Sequence, residues 1–156
     1  MNPESPMRRA IALSRERMRA GDGGPFGAVI VRHGEVIAEG WNQVVSANDP
    51  TAHAEVMAIR RACASLGSFE LSDCAIYTSC EPCPMCLAAI YWARCEAIFY
   101  GSCAAVAAVA GFDDAYLYDE IKRPLEQRAI PTMNLLPEQA IVSFDLWRAH
   151  AARIDY

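Results

Sequence analysis

Two short stretches hold residue types that can do chemistry together. Cys80-Glu81-Pro82-Cys83-Pro84-Met85-Cys86 sets Cys83 and Cys86 three positions apart, with Pro84 directly after the first. Proline is favoured at the first position of a helix, so the two thiols fall in an opening helical turn and on one face. Free N–H groups and the positive end of the helix dipole stabilise thiolates at such a position. That is half of a tetrahedral zinc site. The other half lies upstream, where Thr51-Ala52-His53-Ala54-Glu55 opens a second helix, with His53 and Glu55 close to its first turn. His53, Cys83 and Cys86 supply three ligands. A structural zinc takes four, whereas a catalytic one leaves the fourth position to water. Residues two apart on a helix do not share a face, so Glu55 is read as a carboxyl beside the metal rather than on it, placed to handle a water's proton. A competing arrangement is a closed structural site with Cys80 as fourth ligand, since Cys80 and Cys83 have the same spacing. A redox C-x-x-C leaves His53 and Glu55 without a role.

The pattern around these residues predicts elements that alternate. A helix is expected over Pro6 to about Ala20, ended by the glycine-rich turn Gly21-Asp22-Gly23-Gly24-Pro25. Phe26 to Val31 is apolar on both faces and reads as a central strand. His33-Gly34 turns the chain and Glu35 to Trp41 returns antiparallel. A polar loop runs from Asn42 to Pro50, then a helix from about Ala52 to Ser65, stopped by Gly67. Asp73 to Ser79 is a third strand. The cysteine helix follows from Pro84 to about Ala93, then a fourth strand from Glu96 to Gly101. Ala104 to Ala110 is a short helix or loop, and Gly111 to Pro124 shows no clear period. Thr132 to Leu136 is expected as a fifth strand, before a final helix from about Pro137 to Arg153. Strands alternating with helices imply a mixed, mostly five-stranded sheet in an α/β fold, with helices on both faces. Both chemical stretches fall where a strand or loop gives way to a helix, the usual place for sites in such sheets.

With 156 residues the chain suits a single domain with a proper core. Its formal charge of −5 and pI near 5.2 oppose a broad nucleic-acid footprint, which is normally basic. The longest apolar run, Ala104 to Phe112, is too short to span a bilayer. The first residues carry several arginines and no apolar stretch of a secretory signal. The seven cysteines therefore read as reduced thiols in a cytoplasmic protein. Cys63, Cys74, Cys95 and Cys103 are expected as small buried hydrophobes. His33 and His150 are expected at the surface, and Trp41 and Trp147 in packing.

H-x-E followed by P-C-x-x-C is the signature of the zinc deaminases. Pro25-Phe26-Gly27-Ala28-Val29, Asn42, Thr51 to Glu55 and Tyr77 to Cys86 together resemble the cytidine-deaminase-like superfamily over nearly the whole chain. Within it the sequence is similar to the bacterial guanine deaminases, on account of Cys80 before Glu-Pro-Cys, the segment Gly111-Phe112-Asp113-Asp114 and a terminal Tyr156. The resemblance implies a three-layer α/β/α sandwich and a homodimer in which the C-terminal segment, about 130–156, crosses to cap the partner's site. It implies one zinc per subunit, on His53, Cys83 and Cys86. It assigns Glu55 and Asp114 to catalysis, and Phe26, Asn42, Ala54, Trp92 and Tyr156 to substrate binding. The reaction it implies is guanine and water to xanthine and ammonia, with Glu55 shuttling the proton. A small purine is then the partner, with neither membrane nor nucleic acid. Guanosine or another base or nucleoside is the near alternative. A tRNA adenosine deaminase is a second alternative, which the acidic charge opposes. A non-enzymatic zinc module is the third.

Overall fold

A computed structural model describes residues 3–112 and 114–156. Asp113, of the Gly111-Phe112-Asp113-Asp114 segment, lies outside them. The first helix, α1 (Glu4–Arg19), turns Pro6, Ala10, Leu13 and Ser14 inward and its arginines outward. Strand β1 (Gly27–Arg32) turns at His33-Gly34 into β2 (Glu35–Trp41), and the two pair antiparallel. Strand β3 (Cys74–Cys80) pairs antiparallel with β1 and parallel with β4 (Ala97–Ser102), so the order is β2-β1-β3-β4. The expected central place of the first strand is borne out, and the sheet is mixed.

Side chains alternate across the sheet with the period of two that strands impose. Val29, Val31, Ala75 and Tyr77 face Ala10 and Leu13 of α1. Ala28, Ile30 and Ile76 face the other way, onto α3 (Ala54–Leu66) and α4 (Pro84–Trp92). Helices thus cover both faces. Helix α3 lies very close to the sheet because its inner face is Ala54, Ala58 and Ala62, all fully buried. Gly40 of β2 completes this approach: a Cβ there would stand 2.1 Å from the Ala54 carbonyl oxygen and 2.4 Å from the Ala58 nitrogen. Gly67 ends α3 with φ +61°, the left-handed cap that glycine adopts without strain. Arg61 of α3 donates to the Glu39 carbonyl (2.7 Å) and to Gln43 Oε1 (2.8 Å). Trp41 packs between the guanidinium groups of Arg17 and Arg61, at 3.9 and 4.0 Å.

Several expectations need correction. The fifth strand is absent: among the described residues the sheet has four strands, and 132–136 has no regular structure. Pro131 and Pro137 bracket this run and withhold donors from any ladder, and Leu136 sits at φ 55° as the cap of α7 (Pro137–Ala149). The stretch without a period contains α6 (Asp114–Lys122), acidic at its start and basic at its end as the helix dipole favours. Its Tyr116, Leu117 and Ile121 are all exposed, so it has no apolar stripe to be read. The Asn42–Pro50 loop holds one turn of helix, α2 (Val44–Ala47), and α5 spans Ala104–Val109. Cys103 is exposed rather than buried, as the cap of α5. The chain divides into two compact units, 1–117 and 118–156. The second contains a 3-10 turn (Leu125–Gln127) and α7, and its Ile130, Met133, Leu135, Phe144 and Leu146 are exposed.

Candidate active site

The two ligand-bearing segments are built alike. His53 is the cap residue of α3 (φ −72°, ψ 157°) and Cys83 that of α4 (φ −67°, ψ 168°). Such positions normally carry Ser, Thr, Asp or Asn whose side chain binds the helix N–H groups. Neither His53 nor Cys83 does so, and their side chains turn to each other instead. His53 Nδ1 lies 3.6 Å from Cys83 Sγ and 3.5 Å from Cys86 Sγ. With Zn–S near 2.3 Å and Zn–N near 2.0 Å, a tetrahedral zinc spaces its sulfur and nitrogen ligands by about 3.5 Å. The donor set therefore fits zinc in both chemistry and spacing. His53, Cys83 and Cys86 form the one such cluster among the described residues. Cys80 is not part of it; its Sγ lies 3.9 Å from the Cys103 carbonyl. The closed four-ligand arrangement is thereby excluded for Cys80.

The electrostatics favour a thiolate. The hydrogen bond from Cys86 and that from His53 bring Cys83 down to about 4. The same contact with Cys83, together with burial, pushes Cys86 up. His53 is raised, chiefly by its hydrogen bond to Cys83.

Glu55 follows in the first turn of α3 and is only 5% exposed. Its carboxyl is not among the ligands. Thr78 Oγ1, from β3, lies 3.1 Å from Glu55 Oε1. Burial raises Glu55 above the usual carboxylate range, which suits a group that must hold a proton as well as release one.

His53, Glu55 and Cys83 line a cavity of about 410 Å³, within the range of small-molecule sites. Three of the residues expected to bind or act on substrate also line it: Phe26, Asn42 and Asp114. Asn42 is held by backbone donors. Its Oδ1 accepts from Gly24 N and Val44 N, each at 3.2 Å, so its amide N–H groups are what it has to offer the cavity. Phe26 meets Phe112 edge to face, with centroids 4.8 Å apart and planes at 86°. Ala54 is fully buried against the sheet and does not line the cavity. Trp92, on α4, is 64% exposed and lies outside the lining. Tyr156, in the second unit, is 70% exposed.

The cavity also has walls that sequence alone does not assign. Val44 and Val45 line it from the α2 turn, where the sequence suggests a polar loop. Glu81 lines it too, and its Oε2 accepts from Ala104 N at 2.9 Å, tying the cysteine loop to the start of α5. Phe112 lines it as well, and its place beside an acidic pair is the one signal of this in the sequence. Thr78 offers none, because threonine inside an apolar strand is an ordinary strand former.

Residues 1–102 match the family model of the cytidine and deoxycytidylate deaminase zinc-binding region. The chain is 54% identical to the guanine deaminase of Bacillus subtilis (strain 168) over 156 residues, the whole of both chains. It superposes on the crystal structure of guanine deaminase from Bacillus subtilis with a TM-score of 0.97, covering 100% of this chain and 99% of that one. It is also 47% identical to the tRNA-specific adenosine deaminase of Agrobacterium fabrum over 78 residues, 50% of this chain and 51% of that one. The chain therefore belongs to the cytidine and deoxycytidylate deaminase zinc-binding family.

Proposed function

We propose that this protein hydrolyses guanine to xanthine and ammonia. The observation that carries the reading is a buried carboxyl, Glu55, beside a zinc-spaced His-Cys-Cys set but not part of it, at a base-sized cavity. The full-length likeness to a guanine deaminase supports the choice of base.

Zinc on His53, Cys83 and Cys86 supplies the Lewis acidity that makes water a nucleophile near neutral pH. Glu55 takes the proton of the water whose oxygen bonds to carbon 2 of the purine. It passes that proton to a ring nitrogen and then a proton to the departing amine, so water is divided between xanthine and ammonia. This work is general acid–base catalysis. Phe26 offers its ring to the face of the base. Asn42 offers N–H donors, which suit the carbonyl edge of guanine and oppose the amino group that adenine presents there. Asp114 offers a second carboxyl to the polar edge of the base or its leaving amine.

Trp92 and Tyr156 complete the set of residues expected to bind substrate. They serve a homodimer in which about 130–156 crosses to the partner. The exposed apolar residues of the second unit support that exchange. The seven free thiols suit a reducing cytoplasm, and no helix among the described residues is long and apolar enough to cross a membrane.

The half-chain likeness to tRNA-specific adenosine deaminases favours a second reading, an enzyme that edits a flipped base. The net charge of −5 opposes it. Ammonia release by zinc-loaded protein, measured in parallel on guanine, guanosine, adenine, adenosine, cytosine and cytidine, decides among these. Turnover of guanine above the other five is expected. Preference for guanosine would keep the chemistry and enlarge the pocket. Silence on all six with zinc bound would overturn the reading and call for tRNA.

A further inference from the structure

Thr78 sits in a central strand of the sheet, 1% exposed, on the face of β3 that looks toward α3. Its hydroxyl oxygen lies 3.1 Å from Glu55 Oε1 and 2.9 Å from the carbonyl oxygen of Cys80. The carbonyl can only accept, and a hydroxyl has one hydrogen. Thr78 therefore serves one of its neighbours as donor at a time. Beside an ionised Glu55 it donates to the carboxylate. Beside a Glu55 that carries the shuttled proton on its other oxygen, the one free to face the substrate, Oε1 still accepts from Thr78. In both arrangements Glu55 Oε1 is held at the same point. Thr78 is the contact that ties this oxygen to the sheet.

We infer that Thr78 is the positioning residue of Glu55: its hydroxyl fixes the carboxyl beside the zinc ligands through both halves of the proton transfer. The anchor is rigid on both sides. Thr78 belongs to the strand that pairs with β1 and β4, and Cys80 is part of the same segment that leads into the metal ligands Cys83 and Cys86. Glu55, by contrast, hangs from the first turn of a helix on a side chain with several rotors, and its other hydrogen bonds, with its own backbone and with Cys86, are made at helix starts rather than to the sheet. The inference rests on Glu55 acting as the shuttle, as proposed above.

The test compares Thr78→Val, which keeps the shape and removes the hydroxyl, with Thr78→Ser, which keeps the hydroxyl, in zinc-loaded protein. Zinc per chain, melting temperature, kcat and KM for guanine, and a crystal structure of Thr78→Val are measured. Thr78→Val is expected to bind zinc as wild type does, to keep KM, and to lose about tenfold or more in kcat, inside the roughly 10²–10⁴-fold that general acid–base catalysis supplies. Thr78→Ser is expected to recover most of that loss. In the crystal structure Glu55 Oε1 should leave its wild-type position. Should Thr78→Val fail to fold, Thr78→Ala, smaller and free of a buried polar group, takes its place. Unchanged kcat, an undisplaced Glu55, or a Thr78→Ser as impaired as Thr78→Val would each overturn the inference. A wild-type enzyme inactive on guanine would overturn the proposed function instead, while the position of Glu55 in the variant would still decide the role of Thr78.

Discussion

Cys83, Cys86 and His53 are gathered by two helix starts, and Glu55 by a helix turn, so each proposed role follows from a single position on a short element. The roles separate cleanly under mutation. Glu55→Gln keeps the shape of the side chain and the contact with Thr78 but cannot carry a proton. Zinc content is expected to stay at the wild-type level while kcat falls by about 10²–10⁴-fold or more; metal analysis and steady-state kinetics on the same sample check it, and a variant with wild-type turnover would remove the proton-shuttle role. His53, Glu55, Cys83 and Cys86 are legible in the sequence because their spacing is local: each pair lies within one helix start. Phe26, Asn42 and Asp114 are reachable only through family likeness, since nothing in spacing says that residues 26, 42 and 114 line one cavity. Thr78 and Glu81 are not reachable at all. Their contacts cross from one element to another, and threonine in a strand or glutamate in a loop is ordinary by type.

At the scale of elements, the position of the active site depends on how closely α3 lies on β2. Gly40 and the alanines Ala54 and Ala58 leave space for nothing larger. Gly40→Ala must therefore push α3 outward by its backbone, which carries His53 and Glu55. We expect a loss of about 1–3 kcal/mol, toward the upper end of what overpacking costs because backbone rather than a side chain must yield. A lowered urea midpoint together with a lowered kcat checks it; a variant of unchanged stability would show that the sheet and α3 can separate freely. On the opposite face, α1 is clamped to β2 by Arg9, whose Nε and Nη2 donate to Glu39 Oε1 and Oε2 at 2.6 and 2.7 Å. The Arg9 hydrogen bond holds the Glu39 carboxyl below its ordinary value of 4.5. A carboxyl lowered in the folded state binds fewer protons there than in the unfolded state, so its contribution is full above about 4.5 and is lost as the pH falls through the folded value. Glu39→Gln is expected to lower the melting temperature at pH 7 and to flatten its fall below about pH 4.5, as read from thermal melts across pH; parallel curves for the two proteins would refute the clamp. The four strands and the longer helices are legible because their apolar periods are strong. Thr132 to Leu136 misleads because it has the composition of a strand, and composition says nothing about whether an edge is there to pair with. Helix α6 escapes for the converse reason: it buries no apolar face, and without a buried face a helix has no period to show.

At the scale of the whole molecule, the second unit, 118–156, cannot account for its own apolar residues. Segments below about 40 residues rarely bury enough surface to hold a fold alone, and Ile130, Met133, Leu135, Phe144 and Leu146 are all more than two-thirds exposed. A second copy of the chain is the cover proposed here, with Tyr156 of one chain serving the cavity of the other. That proposal has a consequence no arrangement within a single chain shares. One variant, Glu55→Gln, lacks the shuttle but keeps Tyr156; another, Tyr156→Ala, keeps the shuttle but lacks the terminal ring. Each alone is expected to be impaired, the first severely. When the two are unfolded together and refolded with zinc, half of the dimers are mixed, and in each mixed dimer one site combines Glu55 of one chain with Tyr156 of the other. The refolded mixture should then recover about a quarter of wild-type turnover, as random pairing of a two-fold dimer dictates, whereas the same two proteins mixed without unfolding should show only the sum of their separate rates. If Tyr156 serves its own chain, no site in any mixed dimer holds both groups, and refolding together brings no gain. The gain on refolding thus reads the exchange of the C-terminal segment directly, through activity that neither parent possesses.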